Sequence, residues 1–536
     1  MSTLRRTSGP AAALAAVLGC LALAGPAAAA PVQLTWSACG AAGAQCTTAT
    51  VPKDYDDPGA GTLDLAVAKS PATDPARRIG SLFLNFGGPG ADAATYVALL
   101  GAKLFPVLNS RFDLVGVDPR GTGGSVPVDC KVNQETEGVY SQPFTTPFNL
   151  DAAALVAKDQ SYISRCLELN GDILKYVSTA NVARDLDAIR EAVGDPKMTY
   201  LGFSYGTFLG ATLQSLFPGR TRAVVLDGAL DPDDYINHPL SLLDEQTAGF
   251  ERAISRFMSA CAADQADCGF GAGNPLGTAD ALIEQADATP IPASTAPDRP
   301  VDGNDIRAAL TQAVYSRDVW PQLASALAQL SQGDGAGIRA IADGFYGRND
   351  NGSYDPLTDR YFLLGAGEQH YPSDTQPFLD AGRQSYLDYD HAFWNHGYSE
   401  LAWGLYPVRA LDTFDGPFRT SSDDPTTLVV GTRYDPATPY KEAQRLVGQL
   451  GNARLLTMTG DGHTAYDGRP ADGYNSECAD KAIEAYLFDL TLPAPGTKCG
   501  QDGPPFPPAA VPAAHALSSR APRVDVVPHA RPMPVP

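Results

Sequence analysis

Basic residues are scarce in this chain of 536 residues: 39 Lys and Arg stand against 61 Asp and Glu, a net charge of −22. That balance argues against nucleic acid or an anionic membrane as a partner and fits a protein kept apart from its copies by charge. Metal-binding spacing is missing too. There is no Cys-x-x-Cys pair and no His-rich tract, so no metal site is expected. The glycine-rich stretch Asn85-Phe86-Gly87-Gly88-Pro89-Gly90 lacks the Gly-Lys-Ser/Thr ending of a phosphate loop, and no cofactor is expected. Internal repeats are absent. Beyond one N-terminal stretch, no apolar run approaches the length of a membrane span.

That N-terminal stretch has Arg5 and Arg6 followed by Ala11 to Ala30 without a charge. A basic start, an apolar run and small residues before a cleavage point near Ala28 to Ala30 predict a signal peptide over 1–30 and a secreted protein, off the membrane once cleaved. A lipoprotein anchor at Cys20 is the minor alternative. Nine cysteines less Cys20 leave eight, an even number that suits an exported, disulfide-bonded chain. Cys39 with Cys46, Cys261 with Cys268, Cys130 with Cys166 and Cys478 with Cys499 are the pairings that proximity favours, though spacing alone leaves the connectivity open. A monomer is the expected form.

Strand-like and helix-like patterns alternate along the first part of the chain. Leu82–Asn85, Phe112–Asp118, Met198–Phe203 and Ala223–Asp227 read as short buried strands, and Val182, Leu186, Ile189 and Val193 form one helical stripe. This alternation predicts βαβ units and a mostly parallel sheet. From 232 to 415 the pattern turns helical, with stretches such as Gln246–Cys261 and Ile306–Leu330. Strand signals return at Thr427–Gly431 and Ala453–Met458, and Glu477–Leu490 reads as a closing helix. The expected organisation is an α/β core over 31–231, a helical cap over 232–415, the rest of the core over 416–500 and a Pro/Ala-rich tail over 501–536.

The chemistry centres on Gly202-Phe203-Ser204-Tyr205-Gly206, a Gly-x-Ser-x-Gly turn between an apolar strand and a helix. In a chain with 52 glycines the pentapeptide alone is weak. Its strand–turn–helix setting makes it the nucleophile elbow of an α/β-hydrolase, which lifts the Ser204 hydroxyl above the sheet. The α/β-hydrolase fold is therefore expected for the core, with the helical cap inserted after the strand that follows the nucleophile helix. A serine hydroxyl needs a base, and the base needs an orienting acid, which follow in the order Ser, Asp or Glu, His. Of seven histidines, His463 alone follows the last strand of the second core segment, and it is the expected base. Asp435, after Thr427–Gly431, is the expected acid, with Asp227 as runner-up. Asp461 stands too close to His463 in sequence to orient it. The backbone N–H groups of Tyr205 and Gly88, with Gly87 next, are the expected oxyanion donors. Arg120 reads as architectural. The same machinery would also serve a secreted carboxylesterase, lipase or amidase.

Several segments together resemble the secreted tripeptidyl-aminopeptidase-like serine peptidases of actinobacterial type, relatives of the prolyl aminopeptidases. They include Trp36 to Cys39 with Cys46, Val51 to Tyr55, Gly87 to Gly90 and Phe112 to Gly121 closing at Cys130. Gly202 to Gly206, Phe217-Pro218, Leu226 to Gly228 with Asp231-Pro232, Asp435 with Thr438-Pro439, and Gly462-His463 complete the set. The resemblance implies an exopeptidase with a lid, acting on peptides with free N-termini and releasing short peptides, tripeptides first among them. Two departures stand out. Phe86 occupies a place where relatives often have proline, and cysteines expected near Leu363–Gly367 and Trp403–Tyr406 are missing. An aminopeptidase must also hold a protonated amine, for which Glu245, Glu251 and Glu368 are the candidate carboxylates from the cap.

Overall fold

The computed structural model describes residues 31–142, 144–389, 393–468 and 475–507. The expected signal peptide with Cys20, residue His391, and the tail beyond 507 with His515 and His529 lie outside the described residues.

One ten-stranded sheet forms the frame. Its strands are β1 (Ser37–Ala38), β2 (Gln45–Pro52), β3 (Thr62–Ser70), β4 (Gly80–Asn85), β5 (Phe112–Val117), β6 (Met198–Phe203), β7 (Thr221–Asp227), β8 (Thr427–Tyr434), β9 (Ala453–Asp461) and β10 (Lys498–Gly500). They lie in the order β1-β2-β3-β5-β4-β6-β7-β8-β9-β10. Every pairing from β5 to β10 is parallel. β1, β2 and β3 extend the sheet as an antiparallel edge.

Parallel strands are covered by helices on both faces, so they read as continuous apolar runs. β5 and β6 are buried at every residue. Phe83, Val115, Tyr200, Val224 and Val429 face one layer, packed against the helices Thr179–Ala192, Tyr205–Leu216 and Tyr440–Leu450. Leu82, Leu114, Leu201, Val225 and Leu428 face the other, against Ala93–Leu100 and Glu477–Asp489. Each such buried side chain contributes about 1.5–3 kcal/mol by leaving water, so the strand ends that carry functional residues are held rigidly.

Between β7 and β8 every described element is a helix, from Pro232–Asn237 to Leu401–Leu405. The first part of this insert has a core of its own around Phe250, Phe257, Trp320, Leu323 and Leu327. The second part packs on residues 128–177 through Phe362, Leu363 and Trp403. The single helix expected over Ile306–Leu330 is two, Gly303–Ala313 and Trp320–Leu330. Pro321 in the first turn of the second suits a fresh start, and Ser316 turns back to accept the Asp318 N–H. Four disulfides join Cys39 to Cys46, Cys130 to Cys166, Cys261 to Cys268 and Cys478 to Cys499. They fit an oxidising compartment. No described helix is long and apolar enough to cross a membrane.

Candidate active site

Ser204 sits between β6 and the helix Tyr205–Leu216 with φ 54° and ψ −127°, a conformation side chains rarely adopt. The surroundings hold it there. Its N–H donates to the Asp227 carbonyl at 2.9 Å. Its own carbonyl accepts the Thr207 N–H at 2.7 Å and the Thr207 hydroxyl at 2.6 Å. The flanking glycines are steric necessities. A Cβ on Gly202 would lie 2.4 Å from the Gly206 carbonyl oxygen, and one on Gly206 would lie 2.7 Å from Asn85 Oδ1.

The loop after β4 presses on this elbow. A Cβ on Gly87, whose φ is +86°, would fall 2.7 Å from the Phe203 carbonyl oxygen and 2.9 Å from Ser204 Cβ. Phe86, the departure from the proline of relatives, is fully buried and stacks on Phe203 at 5.9 Å. It braces the elbow strand through ring contact.

His463 follows β9. Its Nδ1 lies 3.0 Å from both carboxylate oxygens of Asp435, and its N–H donates to the Tyr315 carbonyl at 2.7 Å. Tyr315 stands edge-on to the ring at 5.6 Å, and Nε2 is buried without a hydrogen-bond partner. The break between the two insert helices is what brings Tyr315 here. Asp435, in the loop after β8, is fully buried. It also accepts the Ala437 and Thr438 N–H groups at 2.9 Å each and the Thr438 hydroxyl at 3.0 Å. The carboxylate of Asp227 turns elsewhere, accepting the N–H groups of Ala465 at 3.0 Å and Tyr466 at 2.7 Å. Asp461 pairs with Arg256. Arg120 is fully buried and ties the carbonyls of Pro52, Lys53 and Tyr176 to Asp185.

Ser204, Tyr205 and Gly88 line one cavity with Thr438 and the insert residues Tyr235, Gln246, Tyr315, Tyr361, Gln369 and Tyr371. The cavity is narrow, with a volume of about 30 Å³. None of the three carboxylates expected to hold an amine lines it. Glu245 forms a two-point contact with Arg445 at 3.0 Å. Glu251 accepts the Phe393 N–H at 2.7 Å. Glu368 accepts the N–H and hydroxyl of Thr179 at 2.9 and 2.6 Å, and Thr179 Oγ1 in turn meets the Tyr205 hydroxyl. Glu368 therefore braces the elbow, and burial lifts its carboxyl to about 7.

The cavity does hold a carboxyl group, that of Glu400. It lies in the turn between His396–Ser399 and Leu401–Leu405, is 1% exposed and accepts the Tyr371 hydroxyl. Burial raises its carboxyl to about 8. A sequence signal existed: Glu400 has no Lys or Arg three or four positions away and sits among Trp394, Tyr398 and Trp403, the setting of a buried carboxyl.

Residues 82–293 match the family described as "alpha/beta hydrolase fold" and residues 403–499 the one described as "TAP-like protein". Over 479 residues the chain is 32% identical to serine protease Hip1 of Mycobacterium tuberculosis, covering 85% of this chain and 87% of that one. The chain belongs to the TAP-like α/β-hydrolases. This TAP-like hydrolase is also 33% identical to carboxylesterase B of M. tuberculosis, over 85% of its own length and 86% of the relative. To the tripeptidyl aminopeptidase of Streptomyces coelicolor it is 27% identical, over 86% and 84%. It is a serine hydrolase with serine peptidases among its relatives.

Proposed function

We propose that the protein is an exported serine exopeptidase that releases short peptides, tripeptides first among them, from free N-termini. Ser204 is the nucleophile, His463 the base and Asp435 the acid that orients it. Ser204 Oγ attacks the scissile carbonyl carbon and passes its proton to His463 Nε2. The oxyanion is met by the N–H groups of Tyr205 and Gly88. His463 then gives that proton to the leaving amine as the C–N bond breaks. Water, deprotonated by the same nitrogen, releases the acyl peptide. Asp435 fixes Nδ1 and stabilises the imidazolium. The helical insert serves as a lid, and the four disulfides support an oxidising destination.

The observation that carries the exopeptidase reading is Glu400. A buried carboxyl in the cavity of Ser204, served by one tyrosine donor, has unused acceptor capacity suited to a substrate ammonium. It replaces Glu245, Glu251 and Glu368 as the proposed amine anchor. The second reading, a carboxylesterase, is favoured by the 33% identity to carboxylesterase B. Matched peptide anilides with free and acetylated N-termini, a p-nitrophenyl ester and product analysis on unmodified peptides separate the two. We expect free-amine anilides to be preferred, short N-terminal fragments to appear, and Ser204→Ala to lose both turnover and fluorophosphonate labelling. Equal turnover of free and acetylated peptides removes the exopeptidase reading. Ester turnover without peptide release establishes the alternative.

A further inference from the structure

Asp227 is joined to both halves of the reaction centre by different atoms. It ends β7, between the elbow strand β6 and the acid strand β8, in register with Phe203 on one side and Val430 on the other. Its main-chain carbonyl accepts the N–H of Ser204 at 2.9 Å. Its side chain is fully buried and spans to the His463 turn, where it accepts the N–H groups of Ala465 and Tyr466. That turn needs holding, because Thr464, between His463 and Ala465, has φ 67°. The next residue, Gly228, is packed so closely that a Cβ on it would lie 3.0 Å from His463 Cε1.

A buried carboxylate facing only backbone donors is costly unless its oxygens are used. Here both accept, across the two N–H groups. An asparagine of the same shape offers one acceptor oxygen and turns an NH₂ toward those donors. The negative charge also faces His463. The other groups around that ring are Asp435 from the β8 loop and Tyr315 from the insert, with Arg252 near the Asp435 carbonyl at 3.5 Å.

We infer that Asp227 is a positioning residue that sets Ser204 and His463 in register, its carbonyl fixing the elbow and its carboxylate fixing the turn that carries the base. The inference rests on the reading of Ser204 and His463 as nucleophile and base. Burial moves the Asp227 carboxyl up to about 6, so the anchor is ionised above that pH.

The test is Asp227→Asn, assayed on the preferred substrate across pH with fluorophosphonate labelling in parallel. The expected result is a folded protein whose kcat falls about 100-fold, as a displaced catalytic group entails. KM should stay within about twofold, since no substrate contact is lost. A fall in kcat at nearly constant KM is the readout that a merely structural loss would not give. Unchanged kcat overturns the inference. So does a loss that tracks thermal stability, with kcat and KM both disturbed. Should the variant not fold, amide exchange in the wild-type protein decides: Ala465 and Tyr466 protected to the level of the β6 core support the anchor, and early exchange overturns it. A wild-type protein that does not label at Ser204 defeats the parent reading instead, so the two failures are distinguishable.

Discussion

At the scale of the residue, the decisive contrast is between four glutamates with the same side chain. Glu245 is matched by Arg445, Glu251 and Glu368 by backbone or hydroxyl donors. Glu400 alone of the four lines the Ser204 cavity. With its carboxyl raised to about 8 by burial, the empty anchor is protonated at neutral pH. An incoming ammonium favours the carboxylate, so binding releases a proton and is easier as pH rises toward 8. Glu400→Gln keeps the volume and removes the charge. The expected outcome is a KM for free-amine peptides about 10–100-fold higher, the worth of a charged hydrogen bond. Turnover of a p-nitrophenyl ester should stay within about twofold. A KM that does not move would remove Glu400 from recognition. The lack of a basic neighbour marks Glu400 as a buried carboxyl, but which cap carboxylate reaches the cavity depends on which helix faces it, and that is a tertiary fact. The places of Ser204, Asp435 and His463 just after strands were legible because the strands before them carry short buried apolar runs.

At the scale of the element, the loop after β4 and the elbow after β6 act as one unit. Gly87 has positive φ and no room for a Cβ against Phe203 and Ser204. Gly87→Ala would push this loop, and with it Gly88, off the elbow. The expected result is a fall of about 100-fold in kcat with slower fluorophosphonate labelling, the order lost with one oxyanion donor. Stopped-assay kinetics beside near-UV dichroism would check it, and wild-type kcat in a folded variant would refute it. Which elements showed in the sequence follows the same physics. The six parallel strands β4 to β9 each carry a short apolar run and are plain to see. The antiparallel edge is not: β3 alternates Leu63, Leu65 and Val67 with exposed Thr62 and Asp64, a weaker period-two signal, and β1 and β10 span only two and three residues. The break at Tyr315 was hidden because apolar periodicity runs on either side of it. Its purpose, a carbonyl for the His463 N–H, belongs to another part of the chain.

At the scale of the whole molecule, acidity is written into the interior as well as the surface. Burial raises Asp118, Asp159 and Asp227 to about 6, Asp305, Glu368 and Asp480 to about 7 and Glu400 to about 8, against about 4 in an unfolded chain. The folded protein thus binds these protons more tightly than the unfolded one. The stability this brings is complete below about pH 4 and is lost as pH rises through 6 to 8. Self-repulsion of a net −22 chain acts in the same direction. Opposing both is the buried His396, pushed down to about 3 by burial. Its contribution is present above about 6.5 and lost as pH falls toward 3. One imidazole against seven carboxyls places the optimum on the acid side of neutrality. Scanning calorimetry should therefore find Tm highest near pH 5 and lower by about 5 °C or more at pH 8. Half-molar salt separates the two causes, since it screens surface repulsion but leaves buried groups largely untouched. A slope that survives salt belongs to the buried carboxyls, and one that vanishes belongs to net charge. A Tm that climbs from pH 5 to pH 8 would mean that these carboxyls are ionised and paired in the fold, which would also deny Glu400 the proton it is expected to release.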